Sequence, residues 1–457
     1  MAKKKFDFDL IILGTGAGGS AAANLAAKHG LKVAVVENDI FGGESPNYGE
    51  IPTKAWLNVS STLFEARRKA KTGIRASGLG YNFQTIQRWK DLAIQRTGAH
   101  DNEDFYKKAG ITTFRGEARF ITPHEISVNQ RHLSAANFLI ATGSHFKTPE
   151  ITNIQSVNFY TPRTILNITR PPKSLFIAGG GPEAIEMAQF FASLGTKVYV
   201  SEVSARLLPK EDEEVGITIE NFMVEEMKIF VLPQTRVVAV EKEGFHKKVI
   251  FQRGGVEKFV KVDEIMIAGE RTPNTDIGLE NANVEYSDEG IAVNNFLQTS
   301  AKHIFAAGSV LGAKYNTTEA LLQSRIVAHN VSKPRAKISP DYSAIPRTIS
   351  TFPEIASVGL TEDDCIKRDL RIKTAIAPLS VIARSNTENF QNGFVKLICD
   401  PKGKILGGSI VAPEATTAIH EIALAIKFGL SAHDLAELPH AFQSWSEAIR
   451  VCANRIK

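Results

Sequence analysis

The chain has 457 residues, 43% hydrophobic and 23% charged, with a formal net charge of +5, too long for one hydrophobic core and without a charge excess that would suit nucleic acid. Lys and Arg are interleaved with Asp and Glu, and Lys3, Lys4 and Lys5 are the main basic cluster, so no nucleic-acid partner is expected. No run approaches the ~18 to 20 apolar residues of a transmembrane segment, and the three cysteines, Cys365, Cys399 and Cys452, have neither disulfide-framework nor metal-ligand spacing, which favours a cytoplasmic location.

The first predicted element is a buried strand at residues 9–13, stopped by Gly14-Thr-Gly-Ala-Gly-Gly19. An alanine-rich helix runs on to Gly30, and a second strand at 32–37 ends in Glu37. This order of strand, glycine turn, helix, strand and acid predicts a dinucleotide site. Gly14 permits the tight turn, Gly16 lets backbone approach a pyrophosphate, and Gly19 lets the helix pack closely. Glu37 is placed to accept from ribose hydroxyls, and the helix N-terminus supplies free N–H groups.

A polar helical region near 86–109 follows, then a β-rich stretch at 111–140 that leads into Ala141-Thr142-Gly143-Ser144. The opening unit then recurs at a constant offset of 165 residues: Gly14, Gly16, Gly19 and Glu37 map onto Gly179, Gly181, Ala184 and Glu202. Two such sites in one chain imply two different dinucleotides and an electron relay between them. Strand character returns at 297–310, across Ala307-Gly308-Ser309, and from about residue 342 alternating strands lead to a helix at 418–428. A third domain is expected there.

Further motifs are Gly42-Gly43, Asn47-x-Gly49, Ile51-Pro-Thr-Lys54, Arg271-x-Pro-Asn274, Phe352-Pro-Glu-Ile-Ala-Ser-Val-Gly-Leu-Thr-Glu362, Gly393-Phe-Val-Lys396 and Ile405-Leu-Gly-Gly408. By these motifs almost the whole chain resembles the pyridine nucleotide-disulfide oxidoreductases. The resemblance implies an α/β fold of two Rossmann-like dinucleotide-binding domains followed by an α+β dimerisation domain. Residues 1–150 are the expected first part of an FAD domain, 151–272 an NAD(P) domain, 273–338 the return segment of the FAD domain and 339–457 the interface of a homodimer. It assigns Gly14, Gly16, Gly19, Glu37, Gly43, Lys54, Thr142, Gly143 and Ser309 to FAD. Gly179, Gly181, Ala184, Glu202 and Arg206 go to the nicotinamide cofactor. Glu202 would repel a 2′-phosphate, so NADH is expected over NADPH.

The departures bear on chemistry. Aligned on Gly43 and Lys54, the family's redox cysteines fall on Ser45 and Glu50, neither of which performs thiol exchange. The family's catalytic histidine falls on Phe442, although its acid remains as Glu447. His440 reads as structural. The acid that grips the FAD ribitol is Ser309, and the nicotinamide-side motif reads Pro182-Glu183-Ala184.

Lys54 and Glu186 match a family pair beside the flavin that supports hydride transfer from nicotinamide. The helix opening at Asn316-Thr317-Thr318-Glu319 would direct its dipole at the flavin pyrimidine. Glu50 is either a desolvated proton donor or acceptor for a small-molecule electron acceptor, or drift after loss of the disulfide. The expected activity is an FAD-dependent NAD(P)H oxidoreductase with a non-disulfide acceptor, of diaphorase, quinone reductase or oxidase type. A soluble transhydrogenase-type hydride shuttle and a non-catalytic flavin-binding scaffold are the alternatives. No metal site is expected.

Overall fold

The aliphatic run Leu10, Ile11, Ile12 and Leu13 is buried throughout and forms the strand Phe8–Leu13 at the centre of a parallel sheet. Continuous burial, rather than alternation, is what a strand covered on both faces requires. The structure is a computed structural model that describes residues 6–69, 72–73, 78–147, 149–312 and 316–457. The chain divides into two compact units. The first is Met1–Pro52, Arg88–Thr148 and Gly269–Tyr342; the second is Thr53–Gln87, Pro149–Ala268 and Ser343–Lys457.

In the first unit the strands Thr112–Arg115, Val33–Glu37, Phe8–Leu13, Arg131–Ile140 and Ile304–Ala306 lie parallel in that order. The same Arg131–Ile140 strand pairs antiparallel, through its first half, with Glu125–Val128. The strand ends after residues 13, 140 and 306 therefore lie side by side, and a crevice beyond such carboxyl ends is where open α/β sheets bind ligands.

The second unit repeats the plan with the parallel strands Phe230–Leu232, Lys197–Ser201, Ser174–Ala178 and Glu264–Ile267. An antiparallel sheet orders Arg347–Ile349, Glu354–Gly359, Ile405–Ala412, Phe394–Cys399 and Lys373–Pro378, and it is the expected C-terminal strand region. The predicted helix at 418–428 is Ala415–Phe428, begun three residues earlier.

The units differ from the expected segment plan in two ways. Residues 53–87 group with the second unit because Trp56 stacks on Phe190, centroids 4.3 Å apart and planes 6° from parallel. The nicotinamide and interface segments form one unit because Ile349, Ile355, Phe394 and Val411 share a buried cluster with Leu175 and Ile185. The polar region near 86–109 is two helices, Phe83–Arg96 and Glu103–Lys108, and the sequence reading missed the helix Glu50–Lys69 altogether. Of the strand expected at 297–310 only Ile304–Ala306 forms. Among the described residues no helix is long and apolar enough to cross a membrane and no cluster of metal-binding side chains occurs.

Candidate functional site

The internal repeat persists at the level of single hydrogen bonds. In the first copy Glu37 accepts the Thr15 N–H at 2.9 Å and the Asp39 N–H at 3.0 Å, one on each carboxylate oxygen. In the second, Glu202 accepts the Gly180 N–H at 2.8 Å and the Ser204 N–H at 2.7 Å in the same arrangement. Each acid thus braces its own glycine turn, a role the ribose reading did not include. The Thr15 hydroxyl also donates to Glu37 Oε2 at 2.6 Å, so in the first copy the lone pair left for a ribose hydroxyl is on Oε1. Both acids are buried.

The glycines sort by what a methyl group would meet. At Gly14, with φ +97°, an added Cβ would lie 2.3 Å from the Ala141 carbonyl oxygen, so the turn closes against the neighbouring strand end. Gly19 is held by packing, with the Gly14 oxygen 2.1 Å from such a Cβ, whereas its counterpart Ala184 has room for a fully buried methyl. Gly16 and Gly181 are open: the nearest atom at the first is the Gly43 Cα at 3.8 Å, and nothing lies within 4 Å at the second. No side chain caps either following helix, Ala17–Lys28 or Pro182–Ser193. Bare backbone at an uncapped helix N-terminus fits a dinucleotide pyrophosphate in both units. Pro182 removes one N–H from the second turn, and the exposed Glu183 puts a carboxylate in its first turn.

The walls of the first crevice are polar and tightly tied. Gly43, at φ +69°, crosses close to Gly16, and Asn47 Nδ2 donates to the Gly43 carbonyl at 2.7 Å. Thr142 Oγ1 donates to the Asn274 carbonyl at 2.7 Å, and Asn274 Nδ2 donates back to the Thr142 carbonyl at 2.7 Å. Gly143 stands at φ +73° beside Ser309. Three residues here were missed from sequence. The buried Gln323 accepts the Gly308 N–H at 2.7 Å, the buried Ser324 accepts the Ala22 N–H at 2.8 Å, and Tyr106 donates its hydroxyl to the Thr15 carbonyl at 3.3 Å. Burial pushes the Tyr106 phenol well above its ordinary pKa, so it stays a donor.

Ser45 and Glu50, onto which the resemblance places the redox thiols, have a different environment from that expected. Ser45 lies in the short helix Glu44–Asn47, and Glu50 opens the helix Glu50–Lys69. Glu50 is exposed rather than desolvated, and its Oε1 accepts the Thr317 hydroxyl at 2.5 Å. The helix Thr317–Ser332 closes its own N-terminus: Asn316 accepts the Glu319 N–H at 2.9 Å and Glu319 accepts the Asn316 N–H at 2.8 Å. Its first turn therefore already carries a carboxylate, which offsets the dipole expected to act on a flavin.

Among the described residues no ion pair joins Lys54 to Glu186: Lys54 is exposed, and Glu186 Oε1 accepts the Ser350 N–H at 2.7 Å. Arg206 is committed to its own loop, donating to the Leu208 carbonyl at 2.7 Å and the Glu211 carbonyl at 2.8 Å. Phe442 is 76% exposed. Glu447 meets Arg450 at 3.3 Å, and its other oxygen is buried without a partner. His440 is engaged at both nitrogens, by the Leu438 carbonyl at 2.8 Å and Glu421 at 2.8 Å, which leaves none for shuttling a proton.

All three cysteines are unpaired and buried. Burial pushes the Cys399 thiol up to about 11 and the Cys452 thiol up to about 12, and it raises Cys365 as well. None is a thiolate near neutral pH.

Residues 8–330 match the family model described as pyridine nucleotide-disulphide oxidoreductase, and residues 345–453 match the dimerisation domain of that family. The chain is 30% identical over 451 residues to mercuric reductase of Lysinibacillus sphaericus, covering 98% of this chain and 82% of that protein. It is 30% identical over 459 residues to dihydrolipoyl dehydrogenase of Chlorobaculum parvum, with 98% and 96% covered. The HOCl-induced flavoprotein disulfide reductase RclA of Escherichia coli has a similar structure, with a TM-score of 0.86 and 25% identity, over 98% of this chain and 100% of that one. Members of this family bind FAD and NAD(P)H. With matches along nearly its whole length, and with both dinucleotide crevices built from its own repeat, the chain belongs to the pyridine nucleotide-disulphide oxidoreductase family.

Proposed function

We propose that this protein is an FAD-dependent NADH oxidoreductase whose electrons leave to a small-molecule acceptor without passing through a disulfide. The observation that carries the reading is the state of the thiols. There is no cysteine before Cys365, and the three present are buried, unpaired and raised in pKa. Thiol exchange requires an accessible thiolate, and reduction of a disulfide or capture of a mercuric ion by soft ligands draws on the same group. Ser45 and Glu50 supply a hydroxyl and a carboxylate instead.

When bound, the flavin would supply two-electron chemistry, taking hydride from the nicotinamide and delivering it onward. The chain's own contribution is binding and proton handling. Gly14, Gly16, Gly19, Glu37, Gly43, Thr142, Gly143 and Ser309 hold FAD in this reading, and Gly179, Gly181, Ala184 and Glu202 hold the nicotinamide cofactor. In this reading Lys54 and Glu186 serve hydride transfer, Glu50 serves proton transfer at the acceptor, and Glu447 is a further catalytic candidate. The Glu202 carboxylate beside its glycine turn, with Arg206 tied to carbonyls, favours NADH over NADPH. The dimerisation domain at 345–453 supports a homodimer, and three unpaired thiols suit a reducing, cytoplasmic setting.

Steady-state turnover tests the proposal. With NADH and a water-soluble quinone the protein turns over, and with NAD⁺ and dihydrolipoamide it does not. Dihydrolipoamide oxidation that disappears on replacing the three cysteines by serine would overturn it.

A further inference from the structure

A cavity of about 190 Å³ lies within the second unit, between the short helix Ala383–Thr387, the start of the helix Ala415–Phe428 and the loop that leads into Glu447–Ala453. It has room for roughly six groups of water size, at about 30 Å³ each. Arg384, Glu414, Gln443, Ser444 and Trp445 stand on its wall. Two polar atoms of that wall, Arg384 Nε and Ser444 Oγ, are buried and have no hydrogen-bond partner among the described residues. Buried polar atoms are nearly always paired, so two exceptions on one cavity wall need a physical reason.

The Arg384 guanidinium is already fixed in place. Its Nη2 meets Glu388 at 3.2 Å, and its Cζ lies 6.0 Å from the centroid of the buried Trp445 ring. Glu388 also meets Lys69 at 2.9 Å, so one carboxylate stands between two cations and a positive charge is left over. Nε is therefore an oriented, charged donor, and the Ser444 hydroxyl adds a second donor on the same wall. That pair suits an oxyanion. Glu414, exposed and without an ion pair among the described residues, adds a carboxylate to the lining, which repels a dianion such as phosphate and attracts a donor. Glu414 and Gln443 also hold left-handed backbone, at φ +60° and +64°, a conformation that is costly with a Cβ and that clusters at ligand sites.

We propose that this cavity binds a small monocarboxylate that carries a donor on the carbon next to the carboxylate, as a hydroxy acid or an amino acid does. The ligand carboxylate accepts from Arg384 Nε and Ser444 Oγ, and its hydroxyl or ammonium donates to Glu414. Trp445 closes the apolar side against the carbon skeleton. The site is independent of the electron acceptor, and its test needs no turnover.

Full-length, FAD-loaded protein is titrated with acetate, glycolate and glycine at constant ionic strength, and binding is read from tryptophan fluorescence, with Trp445→Phe marking the signal that belongs to this cavity. Glycolate or glycine binds at least about fivefold more tightly than acetate, the usual size for one added hydrogen bond. A glycine advantage that Glu414→Gln removes assigns the donor as an ammonium, and a glycolate advantage that survives it assigns a hydroxyl. Ser444→Ala weakens every ligand that binds by about five- to tenfold and leaves the melting temperature unchanged, because its hydroxyl has no partner to lose within the protein. Arg384→Lys keeps the charge but not the Nε donor, and weakens binding by about tenfold or more. The absence of any Trp445-dependent binding overturns the proposal, as does acetate binding as tightly as the other two or an affinity that Ser444→Ala and Arg384→Lys leave unchanged.

Discussion

The Thr317 hydroxyl donates to the Glu50 carboxylate across 2.5 Å, joining the start of one helix to the start of another within the first unit. In the proposed function Glu50 takes the place of a redox thiol, and this bond gives that position an exposed carboxylate oriented by a hydroxyl. A group that handles protons at the acceptor, and not at the nicotinamide, gives a separable kinetic effect. Glu50→Gln leaves the rate of flavin reduction by NADH unchanged in stopped flow and lowers quinone turnover by about tenfold or more. Thr317→Val shows the same effect in weaker form. An equal loss in both half-reactions contradicts the assignment.

The second crevice predicts opposite outcomes for its neighbouring glycines. Gly179 has φ +123°, and a methyl there would lie 2.2 Å from the Ala268 carbonyl oxygen, so Gly179→Ala fails to accumulate as folded protein. Gly181 has open space around it, so Gly181→Ala folds with an unchanged melting temperature. In the proposed function its methyl projects where a pyrophosphate approaches, so Kd for NADH rises roughly tenfold, in line with loss of a hydrogen bond to a charged group. Circular dichroism and NADH fluorescence on the pair read the two effects separately.

The thiols give a pH prediction. In an unfolded chain they ionise near 9, whereas folded Cys399 holds its proton to about 11 and Cys452 to about 12. Between those values the folded state binds more protons than the unfolded one, so stability falls as pH rises from about 9 upward. At pH 8 an aromatic disulfide reagent finds no thiol in the native protein and all three after denaturation in guanidinium. Rapid native labelling contradicts the burial on which the proposed function rests.

Lys396 is 1% exposed and meets Glu214 at 2.7 Å, Glu362 at 3.0 Å and Asp212 at 3.6 Å. Burial opposes its charge, yet the hydrogen bonds it donates to Glu214 and Glu362 outweigh that and hold its pKa above the ordinary lysine value. Asp212 is the weaker partner, its carboxyl pushed up mainly by desolvation. Lys396→Met leaves the acids without their cation and lowers unfolding stability by about 3–5 kcal/mol, read from the denaturation midpoint. The lysine contribution is present at neutral pH and is lost as pH rises through its raised value.

Legibility from sequence followed the range of the interactions. The glycine turns, both acids and the repeat were visible because strand, turn and helix are adjacent in the chain and each glycine has a local steric reason. The brace from Glu37 to Thr15 spans 22 residues and recurs at Glu202 and Gly180, within reach of the repeat, but only coordinates show which atoms meet. Ser324 and Tyr106 were illegible because each acts on backbone far along the chain, as Ser324 does on Ala22, and Gln323 because no local pattern ties its amide to the Gly308 N–H. The Lys54–Glu186 pair was inferred from resemblance, and competition from the Ser350 N–H for the same carboxylate has no sequence signal. The grouping of 53–87 with the second unit likewise depends on partners distant in the chain, as in the stack of Trp56 on Phe190 and the bond from Arg67 to the Ser193 carbonyl.

Anaerobic titration of the FAD-loaded protein with NADH, followed by flavin absorbance, tests the central claim most directly. A flavin without a thiol partner stores a single electron pair, so the spectrum bleaches fully with one equivalent of NADH per FAD and then stops changing. Uptake of a further equivalent, or a long-wavelength thiolate-to-flavin band on the way, would show a redox-active sulfur pair and contradict the account.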